Sequence, residues 1–323
     1  MLNSQMAHRR SGSVPASAGR FDPALVKTAH ANLGIIWILL SGMLLIAGIG
    51  IGTAVMIDSF RERAMTVGQR DLENTTLLLA RHFDQKFEDL VDAQARLANR
   101  LAVAEISSTD EFKRRMSASA IHDLLNGEVS ESFDPADIYL WDSDGQVVNT
   151  SQTGPLPNFN IGDRASFRSF KANSTSATTL AESVHSLVTG APAMVLARKL
   201  TNANGVFLGV MSRRIETHQF AKFLDTLTLG NGASILIADR GGEVLARFPR
   251  VAAAGGSSVA AGPAFQQALR KSGPTTVHVT SPVDGVDRIA SARPMRSFPM
   301  VIVATIATDA ALADWREQTR LLI

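Results

Sequence analysis

From residue 33 to residue 57 the chain reads LGIIWILLSGMLLIAGIGIGTAVMI, 25 residues without a charge. As a helix this stretch rises about 37 Å, enough to cross a hydrocarbon core of about 30 Å. Ser41 and Thr53 can return their hydroxyls to backbone carbonyls, and membrane helices tolerate glycines such as Gly42, Gly48, Gly50 and Gly52. The pattern then becomes amphipathic. Between Asp58 and about Glu105 there is no proline, and Gly68 is the only glycine. Thr76, Leu79, Phe83, Phe87, Leu90, Gln94, Leu97 and Leu101 recur at spacings of three and four, as one helical face requires. Arg81, Asp84, Lys86, Glu88 and Asp89 fill the other faces. The pattern suits a core helix, and its length also suits a stalk that lines a dimer seam.

Ser107 to Asn126 predicts a second helix, with Ser108-x-x-Glu111 as a capping box and Gly127 as a stop. After Asp134-Pro135 the period shortens to two. Asp137–Trp141 and Gln146–Thr150 predict strands joined by an Asp-Gly turn at Asp144-Gly145. A loop with Pro155, Pro157 and Gly162 leads to a short helix over Asp163–Lys171. Strands are predicted near Thr178–Ser183, Ala193–Leu200 and Val206–Arg214, then a helix over Glu216–Leu227. The pattern restarts with a hairpin at Ser234–Ala238 and Glu243–Phe248, a small-residue loop at Ala252–Gly262 and a helix at Pro263–Arg270. Strands at Thr275–Thr280, Arg288–Pro294 and Met300–Ile306 follow, and a last helix opens at Thr308.

That restart is an internal repeat. Ile138–Asp142 with Gly145 and Val147 matches Ile235–Asp239 with Gly242 and Val244, at an offset of 97. Ala197-Arg198 matches Ala292-Arg293 at an offset of 95. The reading is an α+β chain with two tandem modules, each built on a central antiparallel sheet of about five strands.

Charge refines the picture. The first 32 residues carry Arg9, Arg10, Arg20 and Lys27 against Asp22 alone, which predicts a cytoplasmic N-terminus and an exported remainder. Residues 1–20, rich in Ser, Ala and Gly, read as a disordered tail. A cleaved signal peptide is the alternative, with Gly52-Thr53-Ala54 as a small-residue cleavage site, but the leader and the apolar run are long for one. Of 32 Lys plus Arg and 30 Asp plus Glu, 28 and 29 lie in residues 58–323, which are therefore near neutral. No basic tract marks a nucleic-acid binder. The absence of cysteine excludes disulfides, a zinc finger and a cysteine nucleophile. There is no Gly-x-Ser-x-Gly elbow, His-Glu-x-x-His or phosphate loop, and the seven histidines are scattered, so an enzyme is not expected. No metal or cofactor is expected either.

In order and spacing, these features resemble the double Cache family, the tandem PAS-like extracytoplasmic sensors of bacterial receptors. The motifs are the membrane helix, the long helix and the Asp142-x-x-Gly145 hairpin, then Asp163-Arg164-Ala165-Ser166-Phe167, where the family has Asp-Arg-x-Tyr-Phe. Ala197–Leu200, Asn204–Val210, the second Asp-x-x-Gly hairpin and Arg293-Pro294…Phe298–Val301 complete them. The resemblance covers about residues 58–315. It implies a disordered tail (1–32), a transmembrane helix (33–57), the long and second helices (58–130), a membrane-distal module (131–229), a membrane-proximal module (230–310) and a closing helix (311–323) toward a second membrane segment. Family members of this layout usually continue into a cytoplasmic diguanylate cyclase, histidine kinase or chemoreceptor signalling region, which this chain does not contain.

The resemblance implies a small-molecule ligand in the membrane-distal module and a bacterial inner-membrane location, and the length of the long helix suggests homodimerisation through it. By position, Asp163, Arg164, Phe167 and Arg168 would lie over the sheet, with Tyr139 and Trp141 on one strand face. Met194 and Arg198, with Ser183 and His185, would point into the same region. Guanidinium groups there would bind a carboxylate bidentately, and the rings would cover an apolar stem. Each residue has a plainer reading: Arg198 paired with Asp163, Arg164 as a surface charge, Tyr139 and Trp141 as core, His185 as a solvated loop residue. The amino-acid-binding version of the family uses a Tyr–Arg–Trp set with a later Tyr and Asp. This chain has a single tyrosine, which argues against a ligand held in that way. A membrane-anchored dimerisation partner without a ligand is the alternative function.

Overall fold

The computed structural model describes residues 23–129, 137–187, 190, 192–250, 258–271 and 275–322. The tail at 1–20, the Asp134-Pro135 turn and most of the 252–262 loop lie outside the described residues. The chain divides into two units, Met1–Ser59 and Phe60–Ile323.

One helix, α1 (Pro23–Arg100), contains both the apolar run and the amphipathic stretch. It is long and apolar enough to cross a membrane. All eight positions of its predicted stripe are buried, from Thr76 to Gln94 and Leu97 within the helix and Leu101 just beyond it. Each of the two polar members donates one hydrogen bond, and the buried Gln94 Oε1 has no partner among the described residues. Gln94 donates to the Leu196 carbonyl at 3.0 Å, and the Thr76 hydroxyl donates to the Glu73 carbonyl at 3.0 Å. The helix stops at Arg100 rather than near Glu105. Ala102 takes a left-handed conformation (φ 48°), and a single 3₁₀ turn (Val103–Glu105) follows. That bend turns Leu101, Val103 and Ile106 into a core with Phe112, Met116 and Leu125.

The predicted second helix is two helices, α2 (Thr109–Met116) and α3 (Ser119–Val129). The side-chain amide of Asn149 draws out the carbonyls of Met116 (2.7 Å) and Ala118 (3.2 Å), which a continuous helix would keep for itself. The capping box is present in altered form. Ser108 Oγ accepts from the Glu111 N–H, while the Glu111 carboxylate reaches back to the N–H and hydroxyl of Ser107. Gly127 does not stop α3, which runs on to Val129.

Two five-stranded antiparallel sheets follow. The first has β1 (Asp137–Asp142), β2 (Val147–Thr150), β3 (Thr179–His185), β4 (Pro192–Thr201) and β5 (Phe207–Glu216) in the order β2-β1-β5-β4-β3. The short helix α4 (Ala165–Lys171) lies between β2 and β3 in sequence, and α5 (Thr217–Asp225) follows β5. The second sheet has β6 (Ala233–Asp239), β7 (Val244–Phe248), β8 (Thr275–Thr280), β9 (Asp287–Pro294) and β10 (Met300–Ala307) in the same order, β7-β6-β10-β9-β8. Its helix is α6 (Pro263–Lys271). The predicted last helix is broken at Leu312 into α7 (Thr308–Ala311) and α8 (Ala313–Leu322).

The repeat holds down to register. Tyr139, Ser212 and Ala197 stand side by side on β1, β5 and β4, as Leu236, Val303 and Ala292 do on β6, β10 and β9. Both Asp-x-x-Gly turns need their glycine. Gly145 and Gly242 have φ of +80° and +88°, and a Cβ on Gly242 would fall 2.5 Å from the Ala260 nitrogen. The architecture is α+β, an N-terminal apolar helix followed by two tandem PAS-like modules.

The largest core belongs to both modules. Leu79, Phe83 and Phe87 of α1 pack with Met194, Leu196 and Ile215 of the first sheet, Phe220 and Leu224 of α5, and Ile235, Ile237, Ile289 and Ile302 of the second sheet. Each fully buried side chain of this size contributes about 1.5–3 kcal/mol from burial.

Candidate functional site

In the first module the sheet turns one face to α1 and the other to α4. On the α4 side, a cavity of about 500 Å3, partly open to solvent, lies between the sheet, the loop carrying Phe159 and Ile161, and the start of α4. Its floor is Tyr139 and Trp141 of β1, Val195 and Ala197 of β4, and Ser212 and Arg214 of β5. Arg164 and Ser166 form the α4 edge, and Glu182, Val184, Ser186 and Leu187 the β3 edge.

Strand parity decides which expected residues meet here. Tyr139 and Trp141 are stacked 5.6 Å apart on one face of β1 and line the cavity. Trp141 donates its indole N–H to Ser212 Oγ at 2.8 Å. Tyr139 is 4% exposed, and its buried hydroxyl lies beside the Thr150 side chain of β2, which favours the phenolate slightly, without a well-formed hydrogen bond among the described residues. Burial pushes the phenol's pKa up; Arg214 opposes this without reversing it. The phenol thus stays protonated and able to donate.

Arg164 also lines the cavity, at the N-cap of α4. It donates to the His185 carbonyl at 3.4 Å. Phe167 is buried beneath the helix against Phe207, with ring centroids 5.7 Å apart, and does not reach the cavity. Asp163 and Arg168 are exposed and outside it. His185 is exposed, with its ring 3.9 Å from the Glu243 carboxylate of the second module.

Met194, Arg198 and Ser183 lie on the opposite face, a correction to the expectation that they share the cavity. Val195 and Ala197 face it, so residues 194 and 198 on β4 face α1, and Ser183 pairs with Met194 across the strands. Met194 is in the shared core. Arg198 donates to Thr179 Oγ1 at 3.4 Å, and burial lowers its pKa against the opposing pull of Asp92 on α1. It therefore cannot pair with Asp163 across the sheet. Beside it on the same face, Arg213 is fully buried with no hydrogen-bond partner for its guanidinium among the described residues, and burial pulls its pKa down against the opposing charge of Glu128.

Sequence reasoning missed Glu182, Ser186, Ser212 and Arg214. Arg214 pairs with Asp137, sits 3.5 Å from Glu216 and donates to Ser186 Oγ at 3.0 Å. Glu182 accepts from the N–H and hydroxyl of Ser166, at 3.2 and 2.8 Å. The signal available for them was alternation from Tyr139 and Trp141 across a register that the sequence does not specify. The cavity thus offers aromatic and aliphatic walls, a cation at its edge in Arg164 and an ion pair at its floor. Among the described residues no cluster of His, Asp and Glu could hold a metal.

No curated protein matches the sequence. Among solved structures, the extracellular domain of rpHK1S-Z16, named as a histidine kinase, aligns with a TM-score of 0.61 and 26% identity, over 78% of this chain and 99% of that one. The ligand-binding domain of the Pseudomonas fluorescens chemoreceptor CtaA, in complex with L-isoleucine, aligns with a TM-score of 0.55 and 16% identity, over 79% and 98%. That of the Pseudomonas aeruginosa PAO1 amino-acid chemoreceptor PctC, in complex with GABA, aligns with a TM-score of 0.51 and 15% identity, over 74% and 98%. The Cache domain family model matches residues 66–315, the span that holds both modules and the amphipathic part of α1, and the chain belongs to the Cache domain family.

Proposed function

We propose that this chain is the extracytoplasmic sensing part of a bacterial membrane receptor, and that its first module binds a small carboxylate-bearing metabolite. The carrying observation is the α4-side cavity, where Arg164 is, among the described residues, the lining cation without a carboxylate partner, above a floor of the stacked Tyr139 and Trp141 rings. Arg214 is a weaker candidate because Asp137 already neutralises it. Arg164 would grip the carboxylate, and Tyr139, Trp141, Phe159 and Ile161 would cover the apolar body. Glu182 would accept from an ammonium or hydroxyl group. The ligands named for CtaA and PctC are carboxylates, which supports this reading.

In this proposal residues 33–57 anchor the chain with the N-terminus in the cytoplasm, the first module is membrane-distal, and the protein dimerises through α1. Ligand closure over the first sheet would shift α1 relative to α7 and α8. A ligand moves such an equilibrium only by its differential affinity for the two states.

The test is thermal unfolding of the full chain in detergent against a panel of small carboxylates, amines and sugars. Binding to the native state raises the midpoint with concentration, by about 2.7 kcal/mol of stability at a hundredfold excess over Kd. The expected result is a shift from carboxylates that Arg164→Ala abolishes and Arg198→Ala leaves in place. A panel without any shift, or a shift indifferent to Arg164→Ala, overturns the assignment.

A further inference from the structure

The second module has a cavity at the place corresponding to the first. It is a pocket open to solvent on one side, with about 460 Å3 of free space that includes the opening, between the second sheet, the start of α6 and the β8–β9 turn. Register makes the correspondence residue by residue. The row Tyr139–Ser212–Ala197 becomes Leu236–Val303–Ala292, and Asp137–Arg214–Val195 becomes Ser234–Thr305–Ala290. Every polar side chain of the first floor is replaced by an apolar one or by a self-paired hydroxyl. The ion pair of Asp137 and Arg214 gives way to Ser234 and Thr305, hydrogen-bonded to each other at 2.8 Å.

The one cation lining this cavity is already saturated. Arg288 donates to the Gly232 carbonyl at 2.9 Å, to Thr305 Oγ1 at 3.2 Å and to the Asp284 carboxylate at 2.9 Å. Among the described residues, no side chain lining this cavity has a buried polar atom without a partner, whereas Arg214 Nε on the first floor has none. The roof is small, opening α6 with Gly262-Pro263-Ala264. Water against this lining finds few partners, and displacing such poorly held water by an apolar group favours binding.

We propose that the second cavity is a binding site for a small, neutral, apolar molecule, so that the two modules read two different chemical classes. A charged or strongly polar ligand would leave its solvation shell here for groups that are already paired. The site adjoins Thr305 on β10, three residues before α7, so its occupancy bears on the segment that closes the sensor. That the second cavity takes an apolar molecule does not depend on what the first cavity binds; that the two modules differ in class rests on the function proposed above.

The test uses the full chain in lipid nanodiscs with methyl-labelled Ala and Val, and benzene and acetate as probes. Benzene should shift the methyls of Ala264, Ala290 and Val303 saturably, while those of Val195 and Ala197 in the first cavity stay in place; acetate should leave the second cavity unmoved. Ala290→Leu should fill the space and abolish the benzene response, and Ala264→Leu does the same from the roof should the strand variant fail to fold. Shifts that never saturate and spread over both modules, a benzene response unchanged in the filled variant, or saturation by acetate in place of benzene overturns the proposal.

Discussion

At the scale of single residues, the fold treats its buried charges unequally. Asp284, on the β8–β9 turn, accepts from Arg247 at 2.6 Å and from Arg288 at 2.9 Å. Burial pushes its carboxyl up, but hydrogen bonds from Ser281, Arg247 and Arg288 outweigh this and hold it well below the usual carboxylate range. A depressed pKa contributes stability that is complete above the unfolded value of about 3.9 and is lost as pH falls toward the folded one. Asp284→Asn removes the charge and leaves two buried guanidinium groups unneutralised, a loss of about 3 kcal/mol at pH 7. Urea unfolding between pH 7 and pH 3 should show wild type and variant converging as pH drops below about 4. A constant gap across that range contradicts the assignment.

At the scale of elements, β5 is the strand on which the first module is most exacting. Gly209 lies opposite Asp142 on β1, and a Cβ there would stand 2.0 Å from the Trp141 carbonyl oxygen. That atom is backbone and cannot swing aside. Gly209→Ala should therefore force β1 and β5 apart beneath Trp141, costing about 2 kcal/mol or more, within the range for overpacking. The change should also weaken ligand stabilisation through the displaced indole. Gly205→Ala in the neighbouring turn has open space around its Cβ and should cost only the strain of its positive φ (78°). Equal denaturation midpoints for the two variants would show that the β1–β5 approach is not tight. The same strand shows what a sequence conceals. The α1 stripe was legible because eight positions from Thr76 to Leu101 keep one period, and the module repeat because both hairpins carry Asp-x-x-Gly. The phase of β4 and β5 was not. From Leu208 to Ile215 every residue of β5 is buried, so alternation does not mark the face toward the ligand cavity. Arg198 was assigned to the cavity on its chemistry, and its neighbour Ala197 holds that place. The breaks at Ser117-Ala118 and Leu312 were hidden for a different reason. The first depends on Asn149, more than 30 residues away, and carries no local signal.

At the scale of the whole unit from Phe60 to Ile323, the two sheets share a core instead of each closing its own. Phe83 and Phe87 of α1 and Phe220 of α5 stand where first-sheet and second-sheet side chains converge. Phe87 contacts Phe298, from the loop before β10, at 4.6 Å between ring centroids. A core so divided cannot lose one half without exposing the other, so the modules should unfold together. Ile302 tests this because it is fully buried on β10, in the second sheet, and belongs to that core. Ile302→Ala should cost about 2–5 kcal/mol through lost burial and the cavity left behind, and lower the midpoint by roughly 5 °C or more. With Trp37 and Trp315 replaced by phenylalanine, fluorescence reports Trp141 alone, which lies in the first module. Circular dichroism reports both sheets. The expected outcome is one transition, displaced by Ile302→Ala to the same extent in both signals. A fluorescence transition left in place while the dichroism splits in two would mean that the first module stands without the second. Coupling between the two cavities would then have to run through α1 alone and not through packing common to both sheets.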